Sequence, residues 1–148
     1  MPIGELIGPD QVIVGLRAGD KGQVLQDLAR RAGAVLSIDA RVIFDALQAR
    51  ESLGSTGLGK GFALPHARLE AVQRPFALFA RLARPVDFAS IDERPVDLVI
   101  LLLTPAGSAG RHLATLAALS RPLRDDSFMQ RLRQAPDAAA LHSLLAGA

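Results

Sequence analysis

The stretch Arg50-Glu51-Ser52-Leu53-Gly54-Ser55-Thr56-Gly57-Leu58-Gly59-Lys60-Gly61-Phe62-Ala63-Leu64-Pro65-His66 decides how the rest of the chain is read. Glycines at 54, 57, 59 and 61 cannot sustain a helix, and they lead into the apolar triplet Phe62-Ala63-Leu64, which Pro65 stops. The pattern predicts a loop, a very short strand and then an exposed turn carrying His66. Because proline fixes φ and has no N–H, His66 is presented from a constrained backbone at the edge of a sheet.

Upstream of this stretch, a helix is predicted after Asp39, with Val42, Ile43, Ala46 and Leu47 on one apolar stripe and Arg50 at its end, where the core meets the glycine segment. An earlier helix is signalled by Asp20 and Gln23, which resemble a capping box. Val24, Leu25, Leu28 and Ala29 follow at helical spacing, and Gly33 serves as a stop. Downstream, Pro75 to Arg84 reads as a strand and Val86 to Ala89 as a short one. Val96 to Leu103, apolar on both faces, reads as a central buried strand. After a turn at 105–110, His112, Leu113, Leu116, Ala117 and Leu119 make a helix that Pro122 ends, and two shorter helices follow, capped by Asp126 and Asp137.

Strands and helices mixed in this way predict an α/β (α+β) fold in two or three layers, and the 148 residues read as a single domain, 1–148. With 49% hydrophobic residues the chain can bury a core without disulfides. The pI of 9.9 suggests a nucleic-acid binder, but 17 basic residues are nearly balanced by 15 acidic ones and form no basic tract. Trp and Tyr are absent, which removes base-stacking platforms, so no nucleic acid is expected. The absence of Cys excludes thiolate metal sites and cysteine nucleophiles. The N-terminal residues lack the pattern of a signal peptide, and the longest apolar run, Leu98 to Leu103, is too short to cross a bilayer. The expectation is a cytoplasmic protein with no membrane insertion.

Gly54 to Lys60 satisfies the first seven positions of a nucleotide-binding P-loop, but the eighth is Gly61 rather than Ser or Thr. The context is also inverted, since the segment follows a predicted helix and enters a strand, and a P-loop-like nucleotide-binding protein is kept only as an alternative of another class. Neither His-x-x-x-His nor His-Glu-x-x-His occurs, and no metal is expected; no G-x-S-x-G elbow supports a serine hydrolase. Backbone N–H groups of such a loop, with the Ser55 and Thr56 hydroxyls beside them, suit a phosphate, although a plain flexible connector has the same composition. His112 opens a helix directly after a strand, where ligands gather in open α/β folds, and His142 reads as a surface or packing residue.

The whole run from Arg50 to His66 closely resembles the signature of the enzyme IIA component of the bacterial phosphotransferase system, of the fructose and mannitol class that includes the nitrogen-regulatory proteins. The resemblance continues through Phe88-Ala89-Ser90-Ile91-Asp92, Pro95-Val96-Asp97-Leu98 and His112-Leu113, and covers the chain from about residue 20 to the end. Lys60 and Phe62 depart from it, and Lys60 is expected to add charge beside the site. The resemblance implies a central mixed β-sheet flanked by helices, with a phosphoryl group carried on the residue that matches His66. It implies further that His112 matches the family's second active-site histidine, and that Arg50 matches the arginine that stabilises the phosphoryl oxygens. Ser55, Thr56 and Gly57 are candidate phosphate-binding donors. The implied donor is an HPr-like phosphocarrier, and the recipient an enzyme IIB component or a regulatory target protein, with no cofactor. Similarity to the nitrogen-regulatory members, together with the length of the chain, favours regulation over sugar transport. A shallow apolar rim for the docking donor, including Phe62 and Leu64, is expected around His66.

Overall fold

The computed structural model describes residues 3–107 and 109–148. It runs α1 (Ile3–Leu6), a 3-10 turn at Pro9–Gln11, β1 (Val12–Leu16), α2 (Lys21–Leu36), α3 (Ala40–Glu51), β2 (Gly57–Gly59), β3 (Phe62–Ala63) and β4 (His66–Leu69). β5 (Phe76–Val86), β6 (Val96–Pro105), α4 (Ala109–Ser120), α5 (Asp126–Gln134) and α6 (Ala138–Ala146) complete it.

The apolar run beginning at Val96 is the central strand, β6. It pairs antiparallel with β5 on one side and parallel with both β3 and β4 on the other. The sheet order is β1-β5-β6-β3-β2, with β1 parallel to β5 and β2 antiparallel to β3, so the sheet is mixed. Successive side chains of a strand point to opposite faces, and β6 feeds both layers of core. Val99, Leu101 and Leu103 pack with α2 and α3, through residues such as Leu25, Leu28, Ile43 and Leu47. Leu98, Ile100 and Leu102 pack against the C-terminal helices, with Leu119, Met129, Leu132 and Leu141. The result is three layers, helices on both faces of one sheet, as the resemblance implied.

Several local expectations are corrected. Gly33 does not stop α2, which continues to Leu36; a Cβ there would lie 2.5 Å from the Ile38 carbonyl, so the glycine permits the returning chain to pass close. Ser37, in the left-handed region at φ 56°, makes the turn instead. The stripe of α3 is narrower than its sequence pattern, because Val42 is 49% exposed while Ile43 and Leu47 are fully buried. α5 is capped by Asp125, which accepts from the Ser127 and Phe128 N–H groups, and Asp126 is the first residue inside the helix. Val86 closes β5 rather than starting a separate strand. β1 was not foreseen, because Gly15 at φ +76° breaks the alternation of a short strand.

Candidate functional site

β3 and β4 lie along the same edge of β6, with Phe62 opposite Leu98 and His66 opposite Leu102, and are in effect one strand broken at Leu64-Pro65. Pro65 offers no N–H, but its carbonyl still accepts from Leu102 N at 3.0 Å, and Leu64 N–H turns to the Thr56 carbonyl at 3.0 Å. The Leu64 carbonyl is left for the ring of His66, whose Nδ1 lies 2.8 Å away. His66 is thus half-buried as the first residue of a strand, not held in an exposed turn.

A carbonyl only accepts, so Nδ1 carries the ring proton and, in the neutral imidazole, Nε2 bears the lone pair. That lone pair faces Arg50, whose Nε–H donates to it at 3.2 Å. Arg50 stands at the end of α3 as its spacing predicted, and is steadied by donation from Nη1 to the Gly54 carbonyl at 2.9 Å. Among the described residues its Nη2 has no hydrogen-bond partner. Burial lowers the His66 pKa below 6.5 and the Arg50 charge adds to this, against the opposing pull of the Leu64 carbonyl and Glu51. The ring is therefore neutral, and nucleophilic at Nε2, at physiological pH.

The structure brings His112 to the same place. Its ring centroid is 5.2 Å from that of His66, with the planes tilted by 49°. His112 is buried, and its Nδ1 lies 2.5 Å from Thr104 Oγ1 near the end of β6. Burial lowers its pKa, and the charges of Arg68 and Arg50, with that of His66 whenever its ring is protonated, lower it further. Both histidines and Arg50 line an open hollow of about 640 Å³, walled on one side by Leu53 and on the other by Ala109 and Leu113. A smaller hollow of about 230 Å³ lies on the other side of Arg50 and His66, against Ser55, Thr56 and Leu116.

Ser55, Thr56 and Gly57 lie beside the histidine, but their donors are engaged within the protein. Ser55 Oγ donates to the Phe88 carbonyl and accepts from Gly57 N–H at 3.0 Å. Thr56 gives its N–H at 3.0 Å and its hydroxyl at 2.5 Å to the two carboxylate oxygens of Glu51. Glu51 in turn is paired with Lys21 Nζ at 2.7 Å, its side chain 5% exposed. The neighbouring Lys60 does not add charge beside His66. Its ammonium reaches Asp126 at 2.8 Å, while its N–H and carbonyl are held by Asp92 and Arg133. Phe62 and Leu64 are buried and form no rim; the apolar side chains standing out around the histidines are Leu53, Leu58 and Leu113.

Two residues of the site escaped sequence reading. Glu51 sits next to Arg50 at the end of a helix, and its acidity five residues before Thr56 was the available signal. Thr104 is the first hydroxyl after an unbroken apolar run, at the carboxyl end of the central strand. Among the described residues no three His, Asp or Glu side chains gather as a metal-ligand set. The glycine segment leads from a helix into a strand, the reverse of the strand-loop-helix order a P-loop needs.

Residues 5–147 match the family described as "Phosphoenolpyruvate-dependent sugar phosphotransferase system, EIIA 2". The chain is 44% identical over 146 residues to a nitrogen regulatory protein of Bradyrhizobium diazoefficiens, covering 99% of this chain and 95% of that one. It is 39% identical over 124 residues to the PTS system fructose-specific EIIA component of Haloferax volcanii, covering 84% of this chain and 79% of the relative. Its fold superposes on the crystal structure of nitrogen regulatory protein IIA-Ntr from Neisseria meningitidis with a TM-score of 0.91 at 31% identity, covering 97% and 98% of the two chains. The chain belongs to the EIIA 2 family of the phosphoenolpyruvate-dependent sugar phosphotransferase system.

Proposed function

We propose that this chain is a cytoplasmic phosphocarrier of the nitrogen-regulatory type, which accepts a phosphoryl group on Nε2 of His66 from an HPr-like phosphohistidine protein. The observation that carries the reading is the hydrogen bond from His66 Nδ1 to the Leu64 carbonyl, which leaves the lone pair on Nε2 beside Arg50. In the transfer, that lone pair attacks the phosphorus of the donor's phosphohistidine. The new N–P bond forms as the donor's N–P bond breaks, and the electron pair of the broken bond stays on the donor's imidazole. His66 keeps its Nδ1 proton, and the positive charge that develops on its ring faces the Leu64 carbonyl.

Such a transfer passes through a loose anionic transition state, so the protein's work is positioning and charge stabilisation. Arg50 supplies the cation, with Nη2 open to a phosphoryl oxygen once Nε gives up its bond to the lone pair. His112 supplies a neutral donor. Ser55, Thr56 and Gly57 serve the phosphate by fixing the loop wall, and the chemistry needs no cofactor.

The phosphorylated form adds close to two negative charges at one spot on the surface, enough to switch affinity for a regulatory target protein. The similarity to the fructose-specific relative from Haloferax volcanii supports a second reading, relay of the phosphoryl group to an enzyme IIB component. The deciding test is intact-mass analysis of wild type and His66→Ala after incubation with enzyme I, an HPr-type carrier and phosphoenolpyruvate. One acid-labile phosphate on wild type and none on the variant is the expected result. No phosphate on wild type beside a demonstrably phosphorylated carrier overturns the proposal.

A further inference from the structure

Thr104 stands at the carboxyl end of the central strand, opposite Arg68 of β4, and is 2% exposed. Among the described residues its hydroxyl has one hydrogen-bond partner, Nδ1 of His112, at 2.5 Å. Either group can donate in that pair. If Nδ1–H were the donor, the hydroxyl proton of Thr104 would be buried with no acceptor among the described residues, a cost native structures avoid. If the hydroxyl donates, its proton is satisfied and the ring of His112 must carry its own proton on Nε2.

The choice decides what His112 presents to its neighbour. The two nitrogens of an imidazole flank Cε1 and aim away from one another. With Nδ1 anchored on β6, Nε2 lies on the ring edge away from Thr104, and His112 lines the hollow it shares with His66. Protonated Nε2 offers a hydrogen bond to a phosphoryl oxygen, whereas bare Nε2 sets a lone pair against an anion. Burial, and after it the neighbouring arginines Arg68 and Arg50, disfavour the imidazolium, so His112 is a neutral ring whose single proton has to be placed correctly.

We propose that Thr104 is a positioning residue that fixes His112 as the Nε2–H tautomer, turning a neutral imidazole into a hydrogen-bond donor for the phosphoryl group on His66. The inference rests on the phosphocarrier reading for its use, but the tautomer itself is a property of the unphosphorylated protein. The logic is that of outer-shell partners which orient a working imidazole through its second nitrogen, whose loss costs about ten- to a hundredfold where the imidazole holds a metal.

The test compares wild type with Thr104→Val, which keeps the shape and removes the hydroxyl, and with Thr104→Ser, which restores it. Nitrogen-15 NMR of histidine-labelled protein reads the tautomer, and quenched single-turnover assays read transfer from a phosphorylated HPr-type carrier. Wild type and Thr104→Ser should both show His112 protonated on Nε2 and bare on Nδ1. Thr104→Val should lose the hydrogen-bonded Nδ1 signature and transfer about tenfold more slowly, while its His66 resonances still show Nδ1–H. Wild-type His112 protonated on Nδ1 overturns the proposal outright. Thr104→Val that matches wild type in both readouts does so as well, as does a slow Thr104→Val that Thr104→Ser fails to rescue. If the expected tautomers are found but wild type accepts no phosphate from a competent carrier, the assignment of Thr104 to the tautomer is supported and the phosphocarrier reading alone is lost.

Discussion

The two walls of the hollow that holds His66 are built in opposite ways. The loop wall, from Glu51 to Gly61, is closed upon itself: Glu51 takes both donors of Thr56 and pairs with Lys21, Ser55 bonds the Phe88 carbonyl, and Asp92 and Arg133 hold the backbone of Lys60. The facing wall, at the start of α4, offers the small residues Ala106 and Ala109 and the outward side chain of Leu113, 66% exposed. There, among the described residues, His112 is tied to the sheet through Thr104. On the proposed phosphocarrier reading, the difference separates two requirements of transfer between proteins. Fixed dipoles and charges have to be in place before the phosphoryl group arrives, and the loop wall supplies them at no reorganisation cost. A surface for the proposed carrier needs apolar area and few committed hydrogen bonds, which is the character of the α4 wall.

Breaking the loop wall should have the largest effect. Glu51→Gln removes the negative charge opposite Lys21 and leaves one acceptor oxygen where two served Lys21 and both donors of Thr56; a loss of about 2–4 kcal/mol is expected, read by chemical denaturation. Phosphoryl acceptance should fall with it, because the Arg50–Gly54 contact hangs from the same loop.

Gly57→Ala tests the same wall sterically. The added Cβ would lie 2.2 Å from Ser90 Oγ, a hydroxyl that is buried without a partner among the described residues, so the segments 55–57 and 88–90 must part. A destabilisation of about 1–3 kcal/mol is expected, measurable as a lower Tm, and Ser90→Ala in the same chain should recover part of it.

A smaller effect should appear with pH. Both His66 and His112 have folded-state pKa values below the ordinary 6.5, so the unfolded chain binds protons at these positions before the folded one does. Stability should be level above pH 6.5 on their account and should fall as pH drops from 6.5 toward the lowered values. Thr104→Val, His112→Gln and wild type compared by denaturation over that interval resolve the share belonging to His112; a slope unchanged in His112→Gln would show that His112 contributes none of it.

The α4 wall should be the most tolerant in folding. Leu113→Ser should change stability by no more than about 0.5 kcal/mol, yet raise the KM for a phosphorylated carrier with kcat preserved. An equal loss in both parameters would mean that this wall, too, is part of the fixed machinery.

Much of this was legible beforehand, for reasons that can be stated residue by residue. Helix α3 and strand β6 announce themselves through period and apolarity, and the run from Arg50 to His66 points to the family through its resemblance to the family signature. Other features lie outside the reach of local pattern. Sequence alone points to Phe62 and Leu64 as the rim because an apolar residue beside a candidate site looks like a contact surface. In the fold these side chains are claimed by the core under the C-terminal helices, and the exposed leucines come from segments on either side. Ser55, Thr56 and Gly57 were read as donors for a phosphate because loop composition shows which groups can donate but not where they already do. Lys60 was placed beside the site by adjacency in sequence, and a partner 66 residues away took it elsewhere.

The sequence by itself determined the helices, the central strand and the break at Leu64-Pro65, since each depends on neighbours a few positions away through backbone geometry, hydrophobic period or the missing N–H of proline, and its resemblance to the family signature singled out His66 as the candidate phosphoryl acceptor. Only the tertiary structure decided which nitrogen of His66 is free, that Arg50 faces it, that Thr104 holds His112, and that Glu51 rather than a ligand satisfies the loop. Hydrogen bonds of this kind join side chains to whatever the fold brings within 3 Å, and that adjacency is settled by how strands and helices pack, not by the order in which their residues are strung.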